Sequence, residues 1–157
     1  MKGRLTCTNL LEFVNFSIGK IEEGDQVDVI YTDISKAFDR LLHSVLVRKL
    51  HRIGVHSAML SWIQSYLSDR EQFVRVSGWI SDSIKVTSGV PQGSHLGPLL
   101  FILFMNDVPD VLNYSKCLMF ADDLNIFCSV KSVLDALNLQ RDLDMLQSCH
   151  ANAIVYL

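Results

Sequence analysis

The chain has 157 residues, 49% of them hydrophobic, with a mean hydropathy of +0.24. That is enough apolar material for one domain with its own core and excludes a disordered tail. Its 14 basic and 17 acidic residues leave a formal net charge of −3, so it lacks the global basic field that marks many nucleic-acid-binding domains.

The most apolar window, Leu99 to Met105, falls far short of the roughly 20 residues a membrane-spanning helix needs, and no membrane partner is expected. Cys7, Cys117, Cys128 and Cys149 stand singly, without CxxC spacing or a secretory leader, and read as reduced thiols of an intracellular protein.

In chain order, Leu10, Leu11, Val14, Ile18 and Ile21 recur at helical spacing and predict an amphipathic helix over 8–22. Val27, Val29 and Tyr31 alternate with Asp28, Ile30 and Thr32, and with the β-branched content this predicts a strand that delivers Asp33 at its C-terminal end. Helical patterns follow over 43–52 and 57–67, parted by Gly54. Residues 72–76 alternate as a strand, with 84–86 as its hairpin partner across a turn at 78–83. The segment Ser88-Gly89-Val90-Pro91-Gln92-Gly93-Ser94 has loop chemistry and opens into a helix over 96–112, interrupted near Pro109. A loop that opens into a helix is a natural phosphate-facing site. Two short strands, 116–120 and 124–128, flank Ala121-Asp122-Asp123 at a hairpin tip, and a last helix runs from about 132 to 147. Strands mixed with helices, without sustained βαβ alternation, predict an α+β fold whose sheet is covered on one face.

Asp122 and Asp123 place two repelling carboxylates beside an apolar hairpin, a cost that a hard divalent cation would offset. An isolated Asp-Asp pair is more often a solvated turn. Asp33, also at a strand end, changes that balance, because three carboxylates from two strand ends could hold two Mg²⁺ ions about 3.5–4 Å apart, the arrangement of nucleotidyl transfer. The five histidines show no metal-ligand spacing such as HExxH and read as ordinary surface or core residues. Trp62 and Tyr66 lie four apart on a helix and read as core packing rather than a base-stacking platform.

Three segments then carry a resemblance: Asp33-Ile34-Ser35-Lys36-Ala37-Phe38-Asp39, Ser88 to Phe101 around Pro91-Gln92-Gly93, and Phe120-Ala121-Asp122-Asp123. In this order and at this spacing the chain resembles the reverse transcriptases of LINE-type, jockey-like non-LTR retrotransposons. The likeness runs from Gly3-Arg4 and Thr8 to Phe13, a fingers segment, to Asp142-Leu143-Asp144.

The resemblance implies a polymerase palm, a ferredoxin-like antiparallel sheet covered by helices, with part of the fingers: fingers over 1–25 and a truncated palm over 26–157, the thumb absent. It implies RNA-directed DNA polymerase activity, with Asp33, Asp122 and Asp123 as catalytic metal ligands for two Mg²⁺, Mn²⁺ being able to substitute. Phe38 falls where relatives place an aromatic under the incoming sugar, although a core Phe fits the pattern equally. Gln92 and Gly93 fall where relatives contact the incoming nucleotide and its template base pair. The implied partners are an RNA template, a DNA primer and a dNTP. Asp39 matches a position read as structural; Arg4, Lys36 and Arg75 are candidate phosphate contacts or solvated surface charges.

Leu5 and Ser148 depart from the family pattern, where a serine and a tryptophan are usual. The basic fingers motifs, the lysine beyond Asn152, the thumb and an endonuclease fall outside these 157 residues. An inactive retrotransposon-derived fragment or a domesticated interaction module therefore stays open beside the polymerase. An open apolar edge at 153–157 and marginal solubility are further expectations.

Overall fold

The computed structural model describes residues 6–34 and 36–151, without the side chains of Thr6, Asp33, Cys149, His150 and Ala151. Gly3, Arg4, Leu5, Asn152 and the edge expected at 153–157 lie outside the described residues. The elements run α1 (Thr6–Glu22), β1 (Gln26–Asp33), α2 (Ala37–Arg40), α3 (His43–Arg52), α4 (Ser57–Leu67), β2 (Arg70–Gln72), β3 (Arg75–Val76), β4 (Trp79–Ile80), β5 (Ile84–Val86), α5 (Leu96–Met105), a 3₁₀ turn (Pro109–Val111), β6 (Lys116–Phe120), β7 (Asp123–Val130) and α6 (Val133–Ala151). They form two compact units, Met1–Ser35 with Asp107–Leu157, and Lys36–Asn106.

In the first unit three antiparallel strands stand in the order β1-β7-β6. The β1–β7 ladder runs from Gln26 opposite Val130 to Asp33 opposite Asp123. Helix α1 ends where Gly24 turns to φ +85 and the Asp25 N–H returns to the Lys20 carbonyl at 2.9 Å, a glycine stop that satisfies a last-turn carbonyl. Its Phe13 and Phe16 rings meet the Phe127 ring edge-on, with centroids 5.2 and 5.1 Å apart. Asn9 Nδ2 donates to the Met119 carbonyl on β6 at 3.1 Å, which fixes α1 along the sheet.

Successive strand residues point to opposite faces. Because Ile126, Phe127 and Cys128 are all buried, both faces of β7 are covered, not one as the element order suggested. Helix α6 packs on β7 and the 3₁₀ turn and opens with a reciprocal cap. The Ser132 N–H donates to Asp135 Oδ2 at 2.9 Å, and the Asp135 N–H donates to Ser132 Oγ at 3.4 Å, the capping-box arrangement.

Among the described residues of this unit, Asp142 on α6 is a charged residue that is fully buried. Its Oδ1 accepts the Asn113 N–H at 2.9 Å, and its Oδ2 accepts those of Tyr114 and Ser115 at 2.9 and 2.7 Å. The side chain thereby satisfies the backbone donors of the connection into β6. Burial alone would raise its pKa, but these hydrogen bonds to the charged form outweigh it and hold the carboxyl below the ordinary carboxylate range.

In the second unit α3 packs against α4 and α5. Leu46 and Leu50 of α3, Ile63 and Leu67 of α4, and Leu100, Phe101 and Phe104 of α5 are buried. Lys49 Nζ donates to the Phe104 carbonyl at 2.7 Å and lies 4.5 Å from the centre of its ring. Helix α5 is apolar along its whole length, which helical spacing alone cannot resolve into an inner and an outer side; Leu99 and Ile102 are exposed.

The strand expected over 72–76 is two short strands. β2 pairs with β5, as the expected partner, from Arg70 opposite Val86 to Gln72 opposite Ile84. β3 pairs with β4, Val76 opposite Trp79. The turn between β3 and β4 is Ser77-Gly78, at φ 48 and 89, tighter than the expected 78–83 turn, and positive φ at both residues suits a two-residue hairpin. Trp62 and Tyr66 stack with centroids 5.9 Å apart, but Trp62 is exposed, so the pair caps a helix surface and does not fill the core.

Candidate functional site

The three candidate carboxylates share one end of the β1-β7-β6 sheet. Asp33 is the last residue of β1 and stands opposite Asp123, the first of β7. Asp123 also stands opposite Phe120 across the β6–β7 hairpin, so Ala121-Asp122 forms a two-residue connection. The Ile34 N–H reaches the Asp122 carbonyl at 3.4 Å, continuing the ladder past Asp33.

Asp122 is half-buried and Asp123 exposed. Ala121 takes φ 54, a left-handed conformation that costs a non-glycine residue roughly 1–2 kcal/mol and tightens the turn. The Asp33 side chain lies outside the described residues. Among the described side chains no three His, Cys, Asp or Glu groups gather as a metal-binding set.

The nucleotide-binding candidates are joined within the second unit. Phe38, on α2, is half-buried, its ring 4.9 Å from that of buried Phe101. Gln92 Nε2 donates to Asp39 Oδ1 at 2.9 Å. Ser88 Oγ donates to the Asp39 carbonyl at 2.7 Å, the Gly89 N–H to the Leu41 carbonyl at 2.7 Å, and the Val90 N–H to the Phe38 carbonyl at 2.8 Å.

Gly89 is required by this contact. A Cβ there would lie 2.5 Å from the Phe38 carbonyl oxygen and 2.6 Å from the Asp39 Cα, at φ +78. Gly93, at φ +76, would leave a Cβ in open space, so it is the backbone turn that favours glycine and the space above it is free for another group. Ser94 Oγ accepts the Gly97 N–H at 2.9 Å and caps the start of α5.

Of the basic residues considered as phosphate contacts, Lys36 and Arg75 are exposed. Three residues given no role by the sequence make contacts of note: Arg70 and His43 both reach the Gly89 carbonyl at 2.7 Å, and Asp142 accepts the backbone N–H groups leading into β6. For Asp142 a signal was present, since Leu139, Asp142 and Leu146 lie on one helical stripe and an acid among buried leucines requires partners. For Arg70 and His43 there was none.

Among the described residues no helix is long and apolar enough to cross a membrane. The sequence pattern of the family described as "Reverse transcriptase (RNA-dependent DNA polymerase)" matches residues 4–156. The chain is 33% identical to the RNA-directed DNA polymerase from mobile element jockey of Drosophila melanogaster, over 94% of this chain and 17% of that protein. It is 35% identical to the probable RNA-directed DNA polymerase from transposon X-element of the same organism, over 78% of this chain and 14% of that protein. The chain thus spans less than a fifth of the length of these relatives. The apo telomerase of Candida tropicalis, truncated from its C-terminal domain, has a similar fold, with a TM-score of 0.68 at 18% identity over 93% of this chain and 33% of that one.

Proposed function

The chain belongs to the reverse transcriptase family, and on that premise we propose that it is the palm core, with part of the fingers, of an RNA-directed DNA polymerase of the non-LTR retrotransposon kind. Residues 26–157 then belong to the palm and 1–25 to part of the fingers. The observation that carries the reading is the pairing of Asp33 with Asp123 at the sheet end whose hairpin turn holds Asp122. Two strands and one turn put three acidic residues at one end of a rigid sheet, as a polymerase requires.

The donor set fits hard cations: carboxylate oxygens suit Mg²⁺, and Mn²⁺ accepts the same ligands. Asp33, Asp122 and Asp123 would hold two such ions, which when bound would supply charge neutralisation at the primer 3′-oxygen and the departing pyrophosphate. The protein's own part is placement. Asp33 and Asp123 stand on paired strands with Asp122 in the hairpin turn; Phe38 would lie beneath the sugar of an incoming dNTP, and Gln92 with Gly93 against the base pair that it makes with the RNA template. Preorganised position of this kind supplies much of the catalysis in phosphoryl transfer.

Primer extension on poly(rA)–oligo(dT) by the 157-residue chain, with Mg²⁺ and with EDTA, tests the reading. Metal-dependent product that falls at least a hundredfold in Asp122→Asn is expected, a carboxylate ligand being hard to replace by an amide. Equal product from Asp122→Asn would remove Asp122 from the site. A folded chain without product would favour the alternatives, an inactive retrotransposon-derived fragment or a palm kept as an interaction module; for the latter the exposed apolar residues Phe73, Val76, Trp79 and Ile80 offer a surface.

A further inference from the structure

The carbonyl of Gly89 receives two side chains from different elements. Arg70 Nη2, at the start of β2, donates to it at 2.7 Å and reaches the Ser88 carbonyl at 3.4 Å, while Arg70 Nε donates to the Leu67 carbonyl at 3.2 Å. His43, the first residue of α3, brings its Nε2 to the same oxygen at 2.7 Å. A carbonyl only accepts, so His43 carries its proton on Nε2.

Gly89 is thus bound on both sides of its peptide units, its N–H going to Leu41, and it sits three residues before Gln92. From these contacts we propose that Arg70 and His43 are positioning residues that clamp the Ser88–Gly93 loop through the Gly89 carbonyl and thereby set the place of Gln92 against the incoming nucleotide. The second half of this statement rests on the polymerase reading; the first half does not.

Three features separate this clamp from ordinary surface contacts. Arg70 and His43 are half-buried, and the shared acceptor residue Gly89 is buried, so the bonds are less open to competing water than contacts on the outer surface. Arg70 stands opposite Val86 in the β2–β5 ladder, two residues before Ser88, so a strand pair anchors the donor to the base of the loop it holds. The planar guanidinium spans the Leu67, Ser88 and Gly89 carbonyls together, a fork that a lysine ammonium reproduces poorly. A cavity of about 430 Å³ lined by His43, Ser68, Arg70, Lys85 and Thr87 among others adjoins the clamp, so substitution of either donor opens onto existing space and leaves the core untouched.

The clamp ties the loop to α2 as well. Because Ser88, Gly89, Val90 and Gln92 all bond to residues 38–41, a loop released from Arg70 and His43 would pull on the turn that carries Phe38. The three nucleotide-binding candidates of this unit, Phe38, Gln92 and Gly93, are thus coupled to the same two donors.

The experiment is hydrogen exchange by mass spectrometry on the full 157-residue chain and on Arg70→Met, Arg70→Lys, His43→Phe and the double variant Arg70→Met/His43→Phe, with dTTP kinetics on poly(rA)–oligo(dT) in parallel. Faster exchange confined to peptides covering 38–41 and 88–93, graded from Arg70→Lys to the double variant, is expected. With it, KM for dTTP should rise roughly tenfold in Arg70→Met while kcat changes less, the signature of lost substrate placement. Unchanged exchange in those peptides, or exchange accelerated equally over the whole chain in every variant including Arg70→Lys, would overturn the clamp. Accelerated loop exchange with kcat and KM both unchanged would overturn its role in placing Gln92. Should the unaltered chain make no product, the family assignment stands, the chain is an inactive fragment and the role of Gln92 in it falls, while the exchange result still decides the clamp.

Discussion

At Gly89 the absence of a side chain is a steric requirement: the Cβ of any other residue would lie 2.5 Å from the Phe38 carbonyl oxygen, a backbone atom that cannot step aside, and would sit at φ +78. Gly89→Ala should therefore cost about 3 kcal/mol or more, the left-handed penalty adding to backbone overlap, and urea denaturation would register it as a lowered midpoint at unchanged slope. Phe38 is the opposite case, a side chain with two employments. Its ring packs on Phe101 at 4.9 Å, which supports the core expectation, and it remains half-buried, which leaves an edge for a ligand. Phe38→Val should lose roughly 1–2 kcal/mol of stability and, in an active enzyme, raise incorporation of ribonucleotides over deoxyribonucleotides. An unchanged sugar preference alongside the lost stability would assign Phe38 to the core alone. The sequence offered the three aspartates as candidates by their places at strand ends, and Phe38, Gln92 and Gly93 only through the resemblance of ordered motifs, since a core Phe and a polar loop residue read the same locally. It could not identify Arg70 and His43, whose common acceptor Gly89 lies 19 and 46 residues away along the chain.

Among the elements, the helices α3 and α4 matched their sequence patterns end to end, and β1, β6 and β7 appeared where alternation and β-branching placed them, because each has a regular period and a clear stop. The 70–86 region was less legible, since alternation through Gln72 to Val76 is the same whether one strand or two carries it, and only the Ser77-Gly78 turn decides. Helix α6 shows how one polar residue can organise an element boundary. Asp142 accepts three successive N–H groups from the segment entering β6, so Asp142→Asn puts an amide donor against N–H donors and should cost roughly 2–4 kcal/mol at neutral pH. The pH dependence has a definite sign. The folded pKa of Asp142 is lowered, so its contribution is fully present above the unfolded value of about 3.9 and is lost as pH falls through the folded value. Asp25 and Asp135 are lowered too, chiefly by the hydroxyls of Ser129 and Ser132, but they are common to both proteins and drop out of the comparison. Urea denaturation at pH 7 and pH 3 should show the gap between wild type and Asp142→Asn narrowing in acid; a gap that widens would mean the buried carboxyl folds neutral.

Across the molecule, the balance between core and surface explains both the composition and its main physical liability. Of the 49% hydrophobic residues many stay exposed, among them Leu10, Leu11, Ile18 and Ile21 on α1, Val133 and Leu134 on α6, and a group on the β3–β4 hairpin and its flanks: Phe73, Val74, Val76, Trp79, Ile80 and Ile84 are each more than half exposed, Trp79 at 83%. Patches of this kind mark interaction or aggregation surfaces, and short strands with unpaired edges add a template for association. The hairpin itself has little to lose by becoming polar, because the Trp79 and Ile80 side chains are largely in water already and β3 and β4 pair through their backbones. Trp79→Lys combined with Ile80→Lys should therefore leave the thermal midpoint within about 0.5 kcal/mol equivalent of the parent, as expected of surface substitutions. It should also shift the concentration at which light scattering rises upward by severalfold, since added charge opposes association. A double variant that stays monomeric and keeps primer extension would separate this surface from the palm chemistry. One that stays monomeric but loses extension would place the hairpin in contact with the template or primer, making the exposed residues part of the polymerase and not merely its cost in solubility.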